Sequence, residues 1–303
     1  MLKNTIKKRI FLIISSLFVI FIIYLFPTQK EEIITKENKK NNYNYIYLLD
    51  KDNYVARVSV ILNNKEAIKQ IEEIIEFLTI GSNKSNYIKE GFTPIIPKNT
   101  KILSIDIDKN IVKINFSQEF LNIAEDKIEA LISSIVYSIT SLNNNYKLTI
   151  YVEGNLLNKL GNINIPTVID RLFGINNNYS VDKINGITQT TVYFLSKYND
   201  YYYYVPITYV NNKTDDKIKI IIEQMASKSI YQTSLISYLK DIKKMNYEIQ
   251  NDSIILNLSS INFSSKNMIE EVLYTFNLSI KDNYNIKEVI YYIDNELYKK
   301  CQI

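Results

Sequence analysis

Residues 46–62 read IYLLDKDNYVARVSVIL and residues 192–210 read VYFLSKYNDYYYYVPITYV, and the likeness of these two stretches decides the fold. Each is a pair of strand-like runs around an Asp/Asn turn, and each enters Asn-Asn-Lys and then a helix-like segment. Further along, IDIDKNIVKINFS (Ile105–Ser117) matches YEIQNDSIILNLS (Tyr247–Ser259), two alternating strands hinged on a polar turn. An amphipathic helix follows each, then a final strand, LTIYV (Leu148–Val152) and VIYYI (Val289–Ile293). A repeat spaced by about 145 residues is a tandem domain duplication, since solenoid periods run at about 20 to 50.

Periodicity fills in the elements. Ile68, Ile71, Ile74, Ile75 and Leu78 recur at spacings of three and four, which predicts a helix over 65–79 with one apolar face, ended by Gly81. Ile128, Leu131, Ile132, Ile135, Val136 and Ile139 predict a second helix over 125–142. In the strand 101–107, Ile102, Ser104, Asp106 and Asp108 fall on one side and Leu103, Ile105 and Ile107 on the other. The second copy repeats the order, with helices near 215–225 and 266–279. Alternating strands half covered by amphipathic helices predict an α+β fold, in each copy a small antiparallel or mixed sheet with two helices on one face.

At 303 residues the chain accommodates two such domains, and 46% hydrophobic against 22% charged residues is the composition of a folding sequence. It contains no histidine, which removes the commonest general base and metal ligand and every Ser/His or Cys/His nucleophile pair. The single cysteine, Cys301, has no second cysteine to pair with and reads as a frayed terminal thiol. The formal charge of +4 is spread along the chain, so nucleic acid is not an expected partner. No cofactor or metal is expected.

Ile10–Phe26 (IFLIISSLFVIFIIYLF) is an uncharged apolar run preceded by Lys3, Lys7, Lys8 and Arg9. It meets the short end of the roughly 17 to 25 residues that cross a bilayer, and the basic flank keeps the N-terminus cytoplasmic. The exit sequence YLFPTQKEE offers neither a small-residue cleavage site nor a lipidation cysteine, so the reading is an uncleaved single-pass anchor in the cell membrane. The resulting organisation is a cytoplasmic tail over 1–9, a transmembrane signal anchor over 10–26 and a polar stalk over 27–43. A first domain over 44–160, a linker over 161–189 and a second domain over 190–298 follow outside the cytoplasm.

Several phrases resemble the GerM family of sporulation and spore germination proteins, whose extracytoplasmic module is the GerMN domain. They are GFTPIIPKNTKIL (Gly91–Leu103), VKINFSQEF (Val112–Phe120) and IYVEG (Ile150–Gly154), then IP (Ile165-Pro166) to RLFGIN (Arg171–Asn176) at the joint between domains. In the second copy TVYFL (Thr191–Leu195) and YYVPIT (Tyr203–Thr208) are similar to the family's opening hairpin. The resemblance covers nearly everything after the stalk. It implies tandem GerMN domains and a non-enzymatic envelope role in spore formation or germination. The chain departs from the family in two ways: tandem members are often lipoproteins, and the second copy's counterpart of Thr93–Thr100, near 234–241, lacks both prolines.

Three functions compete. The first is a membrane-anchored scaffold or assembly factor, its partners the membrane, other envelope or sporulation-type membrane proteins, or further copies of itself. The second is a binding module for cell-wall glycan or a small ligand. The third, an enzyme working through carboxylates alone, has Glu153 as its only candidate, matched in the second copy by Asp294 with no recognisable second carboxylate, and is set aside. Asp106 and Asp108 read as solvated carboxylates beside a turn. The candidate interaction surface is the loop carrying Thr93, Pro94, Ile96, Pro97 and Thr100, which equally reads as a rigid structural connection, together with Tyr201, Tyr202, Tyr203 and Tyr204. On a strand, Tyr201 and Tyr203 face one way and Tyr202 and Tyr204 the other, one pair for the core and the other for a surface patch.

Overall fold

The computed structural model describes residues 43–212, 216–239, 245–259, 263 and 265–303. The expected tail and anchor and nearly all of the stalk lie outside these residues, and among the described residues no helix is long and apolar enough to cross a membrane.

The first copy runs β1 (Asn44–Asp50), β2 (Val55–Val60), α1 (Ala67–Leu78), β3 (Phe92–Thr93), β4 (Ile102–Asp108), β5 (Ile111–Phe116), α2 (Ile128–Thr140), β6 (Lys147–Val152) and β7 (Asn155–Leu156). A joining stretch holds β8 (Lys159–Leu160), β9 (Ile163–Asn164) and β10 (Asn178–Ser180). The second copy then runs β11 (Thr188–Tyr198), β12 (Tyr201–Asn211), α3 (Lys217–Met225), β13 (Asn246–Gln250), β14 (Ser253–Leu258), α4 (Lys266–Asn283), β15 (Glu288–Ile293) and β16 (Glu296–Gln302). The duplication is thus a duplication of structure. β16 also corrects the reading of Cys301, which is no frayed thiol: it lies in a strand, opposite Val289.

The strands do not form one sheet per copy. β4-β5-β6-β7 and β13-β14-β15-β16 are two four-stranded sheets of the same order, each with one parallel pair, β5 with β6 and β14 with β15. A parallel pair needs a crossover, and α2 and α4 supply it. The opening hairpins leave these sheets and meet each other, β2 against β12, in a six-stranded sheet that also takes β3 and β10. Buried side chains of both copies accordingly form one continuous core.

Helix α2 shows what this does to the simple amphipathic reading. It touches β1 and β2 of the shared sheet and also β6 of the four-stranded sheet, and Ser133, Ser134 and Ser138 are buried along with its apolar residues. Those hydroxyls have a use. Beyond the short β3 pairing, the outer edge of β1 has no neighbouring strand among the described residues, so its polar backbone groups need other company. Ser138 Oγ accepts from Tyr47 N at 2.8 Å, Ser134 Oγ donates to Tyr47 O at 2.5 Å, and Ser141 Oγ donates to Tyr45 O at 2.5 Å. In the second copy Ser279 Oγ accepts from Tyr193 N at 2.9 Å, and the Asn283 amide takes both the N–H and the carbonyl of Thr191. Helix side chains stand where a strand would otherwise pair, one of the ways a sheet edge is closed.

One strand departs from its alternation. The β4–β5 register shifts between Ile102 and Ser104, and this bulge turns Leu103 out to solvent while Ile102 becomes half-buried. A bulge inserts one residue and so flips the facing of the residues before it. Beyond it Ser104, Asp106 and Asp108 are exposed, as their spacing predicts.

Candidate functional site

The seam between the copies is where the chemistry-bearing side chains gather. Tyr203 is buried, its ring edge-on to Phe92 at 4.8 Å and its hydroxyl donating to Asp50 Oδ2 at 3.0 Å. Tyr201 lies beside it, with the Lys89 ammonium 3.9 Å from the centre of its ring. Next to Phe92, Gly91 lets the Tyr198 ring pack against the backbone: at φ +88° a Cβ there would stand 2.6 Å from that ring. On the other face of β12, Tyr204 packs on Tyr274 of α4 at 4.8 Å and donates to Glu271 Oε2 at 2.8 Å. Tyr202 is half-buried with Lys197 Nζ 5.0 Å from its ring centre. The tyrosine run therefore packs on both faces of its strand, and Tyr203 belongs to the core instead of a surface patch.

The loop after α1 is held as tightly. Phe92 and Thr93 pair with Asp50 and Leu49, and the amides of Ile95 and Ile96 both donate to Leu78 O at the end of α1. Ile96 and Pro97 are buried, Pro94 and Thr100 half-buried, and Thr93 exposed. Thr100 Oγ1 donates to Pro97 O at 2.7 Å. In the second copy Ile236 exchanges both backbone hydrogen bonds with Leu195, the position that matches Leu49, so the strand-edge contact survives without the prolines.

A second cluster was not foreseen from the sequence. The Tyr47 and Tyr193 hydroxyls are 3.0 Å apart, and Tyr193 donates its one proton to Asp282 Oδ2 at 2.8 Å, so Tyr47 must donate to Tyr193. Asp282 is ion-paired with Arg171, whose Nε donates to Thr140 Oγ1 at 2.9 Å and whose guanidinium lies 4.7 Å from the Tyr137 ring centre. Burial, with the Asp282 charge beside it, pushes the Tyr193 phenol well above its ordinary value, so it stays a donor at any physiological pH. Arg171 comes from the joining stretch, Asp282 from α4 and Thr140 from α2, so one ion pair ties together both copies and the segment between them. Nearby, Asn176 exchanges hydrogen bonds with both backbone groups of Val55 and donates to Pro206 O at 2.7 Å, pinning β2 to β12 beside a proline that has no N–H to offer. The only signal of this cluster in the sequence is that both copies place tyrosine at the same repeat position, 146 residues apart.

The other carboxylates singled out in the sequence make local contacts. Glu153 sits in the β6–β7 turn and its Oε1 accepts from Gln118 N at 2.9 Å. Asp106 and Asp108 lie 3.7 and 3.6 Å from Lys113 Nζ. Among the described residues no three Asp, Glu or Cys side chains gather as a metal would require.

Comparison with known proteins agrees with this architecture. Residues 45–158 match the family model described as Germane, sporulation and spore germination. The chain is 26% identical over 258 residues to the spore germination protein GerM of Bacillus subtilis strain 168, across 80% of this chain and 69% of that one. Its fold is similar to the solved tandem GerMN domains of the sporulation protein GerM from Bacillus subtilis, with a TM-score of 0.74 at 24% identity, over 84% of this chain and 91% of that structure.

Proposed function

We propose that the chain is a member of the GerM family of sporulation and spore germination proteins, with GerMN domains in tandem, and that it is a non-enzymatic assembly factor of the cell envelope. It is held in the membrane by Ile10–Phe26 and displays its two domains outside the cytoplasm on the stalk over 27–43. It works by holding other envelope membrane proteins together during spore formation or germination.

The observation that carries this reading is the seam. A shared sheet, the Tyr47–Tyr193 contact and the Arg171–Asp282 ion pair make one body of two domains, so surfaces on opposite copies keep a fixed spacing. Rigid presentation of two related surfaces is what a scaffold needs. Of the tyrosines considered for glycan stacking, Tyr203 is buried against Phe92 and Tyr204 packs on Tyr274, which favours the assembly reading over glycan binding.

The test is crosslinking and affinity purification of the full chain from native membranes, followed by identification of what is recovered. Envelope or sporulation membrane proteins are the expected companions. Peptidoglycan fragments without protein companions would overturn the assembly role.

A further inference from the structure

Two strands of equal length end the sheet system on opposite copies. β4 is the outer strand of the first four-stranded sheet and β16 the outer strand of the second, seven residues each, and among the described residues no strand lies beyond either. An outer strand presents a row of backbone donors and acceptors that another strand can complete.

Their charges are opposite. β4 carries Asp106 and Asp108, both mostly solvent-exposed, against the single Lys113 of its neighbour β5. β16 opens on the exposed Glu296 and carries Lys299 and Lys300 at its centre, with Lys299 engaged by Glu270 at 2.5 Å and Lys300 exposed. Placing β16 on β16 would crowd four lysines, and β4 on β4 would gather four aspartates. Like charges directly opposite destabilise a strand pair and opposite charges stabilise it. The same charges that discourage each edge from pairing with itself favour pairing between the two.

We propose that the outer edge of β16 in one chain adds to the outer edge of β4 in a second copy of the chain. The pairing is head to tail, so the first chain keeps an unused β4 and the last an unused β16, and assembly continues beyond a dimer. A seven-residue strand pair is a small interface, which suits molecules concentrated at a membrane surface. This deepens the assembly role by naming one companion, and in its need for membrane concentration it rests on that reading. Its failure would leave the recovery of other envelope proteins untouched.

The test uses the full chain in detergent, followed by sedimentation velocity over a concentration series that extends to the local concentration of a crowded membrane surface. Wild type is expected to form a ladder of species beyond the dimer. Lys300→Glu alone, and Asp106→Lys with Asp108→Lys alone, should each weaken association about tenfold, the sum of a few cross-strand charge pairs. Mixing the two variants should restore association, because the unchanged β16 of one then meets the unchanged β4 of the other, while the reversed charge at position 300 meets the reversed charges at positions 106 and 108. All three positions are exposed, and circular dichroism melts verify that each variant is folded. A wild type that stays monomeric, reversals without effect, an effect from Lys300→Glu but none from the β4 reversal, or a mixture of folded variants that fails to associate would each overturn the proposal.

Discussion

The phenolic oxygen of Tyr47 lies 3.0 Å from that of Tyr193, and the two tyrosines hold the same position in the two copies. Each has its backbone N–H capped by a serine of the helix in its own copy, Ser138 for Tyr47 and Ser279 for Tyr193. The duplicated element therefore meets its own duplicate at the centre of the molecule, and the asymmetry begins beyond it, where Tyr193 alone goes on to Asp282.

That asymmetry gives the first prediction. Tyr193→Phe strands both the Tyr47 hydroxyl and one oxygen of Asp282, and should cost about 1–3 kcal/mol in urea unfolding. Tyr47→Phe removes only a terminal donor and should cost less. In the Tyr193→Phe background Tyr47→Phe should cost nothing further, since its acceptor is already gone. Equal and additive losses from the two substitutions would contradict the chain of donation from Tyr47 to Tyr193 to Asp282.

The Arg171–Asp282 pair should behave as a buried ion pair, strongly destabilising when halved. Arg171→Met or Asp282→Asn alone should each cost about 3–5 kcal/mol, and the double variant clearly less than their sum. Thermal unfolding should stay a single transition in the wild type. In Arg171→Met it should broaden or split, because the segment that ties the copies together has lost its anchor.

Replacing the hydroxyls that close the sheet edges should have matching effects in both copies. Ser138→Ala and Ser279→Ala each leave a buried backbone N–H without an acceptor, at a cost of about 1–3 kcal/mol. Hydrogen exchange would locate the damage. The Tyr47 amide should lose protection in the first variant and the Tyr193 amide in the second, with little exchange of effects between them.

Two buried carboxylates should respond to pH in opposite senses. Burial pushes Asp50 above its ordinary value of 3.8, against the pull of the Tyr54 and Asp52 N–H groups and the Tyr203 hydroxyl. Its favourable contribution is therefore present below 3.8 and is lost as pH rises through the raised folded value. Asp50→Asn should gain on wild type as pH rises above 3.8 and through the raised folded value in urea titrations.

For Glu73, burial pushes upward too, but the Lys84 ammonium and the amides of Asn64 and Asn63 outweigh it and hold the carboxyl below its ordinary 4.5. Its contribution is present above 4.5 and is lost as pH falls through the depressed folded value. Glu73→Gln should be less stable than wild type at neutral pH, and the gap should close in acid. The same pH trend for both variants would refute this assignment.

Much of the element order was legible because it depends on local pattern. The spacing of Ile71, Ile74, Ile75 and Leu78 marks α1, and the Asp108-Lys109-Asn110 turn marks the β4–β5 hairpin, because helix and strand periodicities are properties of neighbouring residues. The candidate site was less legible. The backbone of Thr93–Thr100 is hydrogen-bonded to β1 and the end of α1, and the Tyr201–Tyr204 run makes contacts on both faces of β12; alternation separates the two faces but cannot say what each one meets. Leu103 pointed outward because a bulge, which leaves no mark in alternation, intervened.

The sequence by itself determined that the chain is two copies of one α+β unit and where the helices and most of the long strands lie, since repeats and periodicity are written along the chain; the closing strand β16 was not among them. Only the tertiary structure decided that the opening hairpins desert their own sheets and join each other, and that Arg171, Asp282, Tyr47 and Tyr193 form one buried polar group. Both outcomes depend on contacts between residues a hundred or more positions apart: a strand's hydrogen-bonding edge is the same whichever strand fills it, and the choice is made by what the assembled core can bury and satisfy.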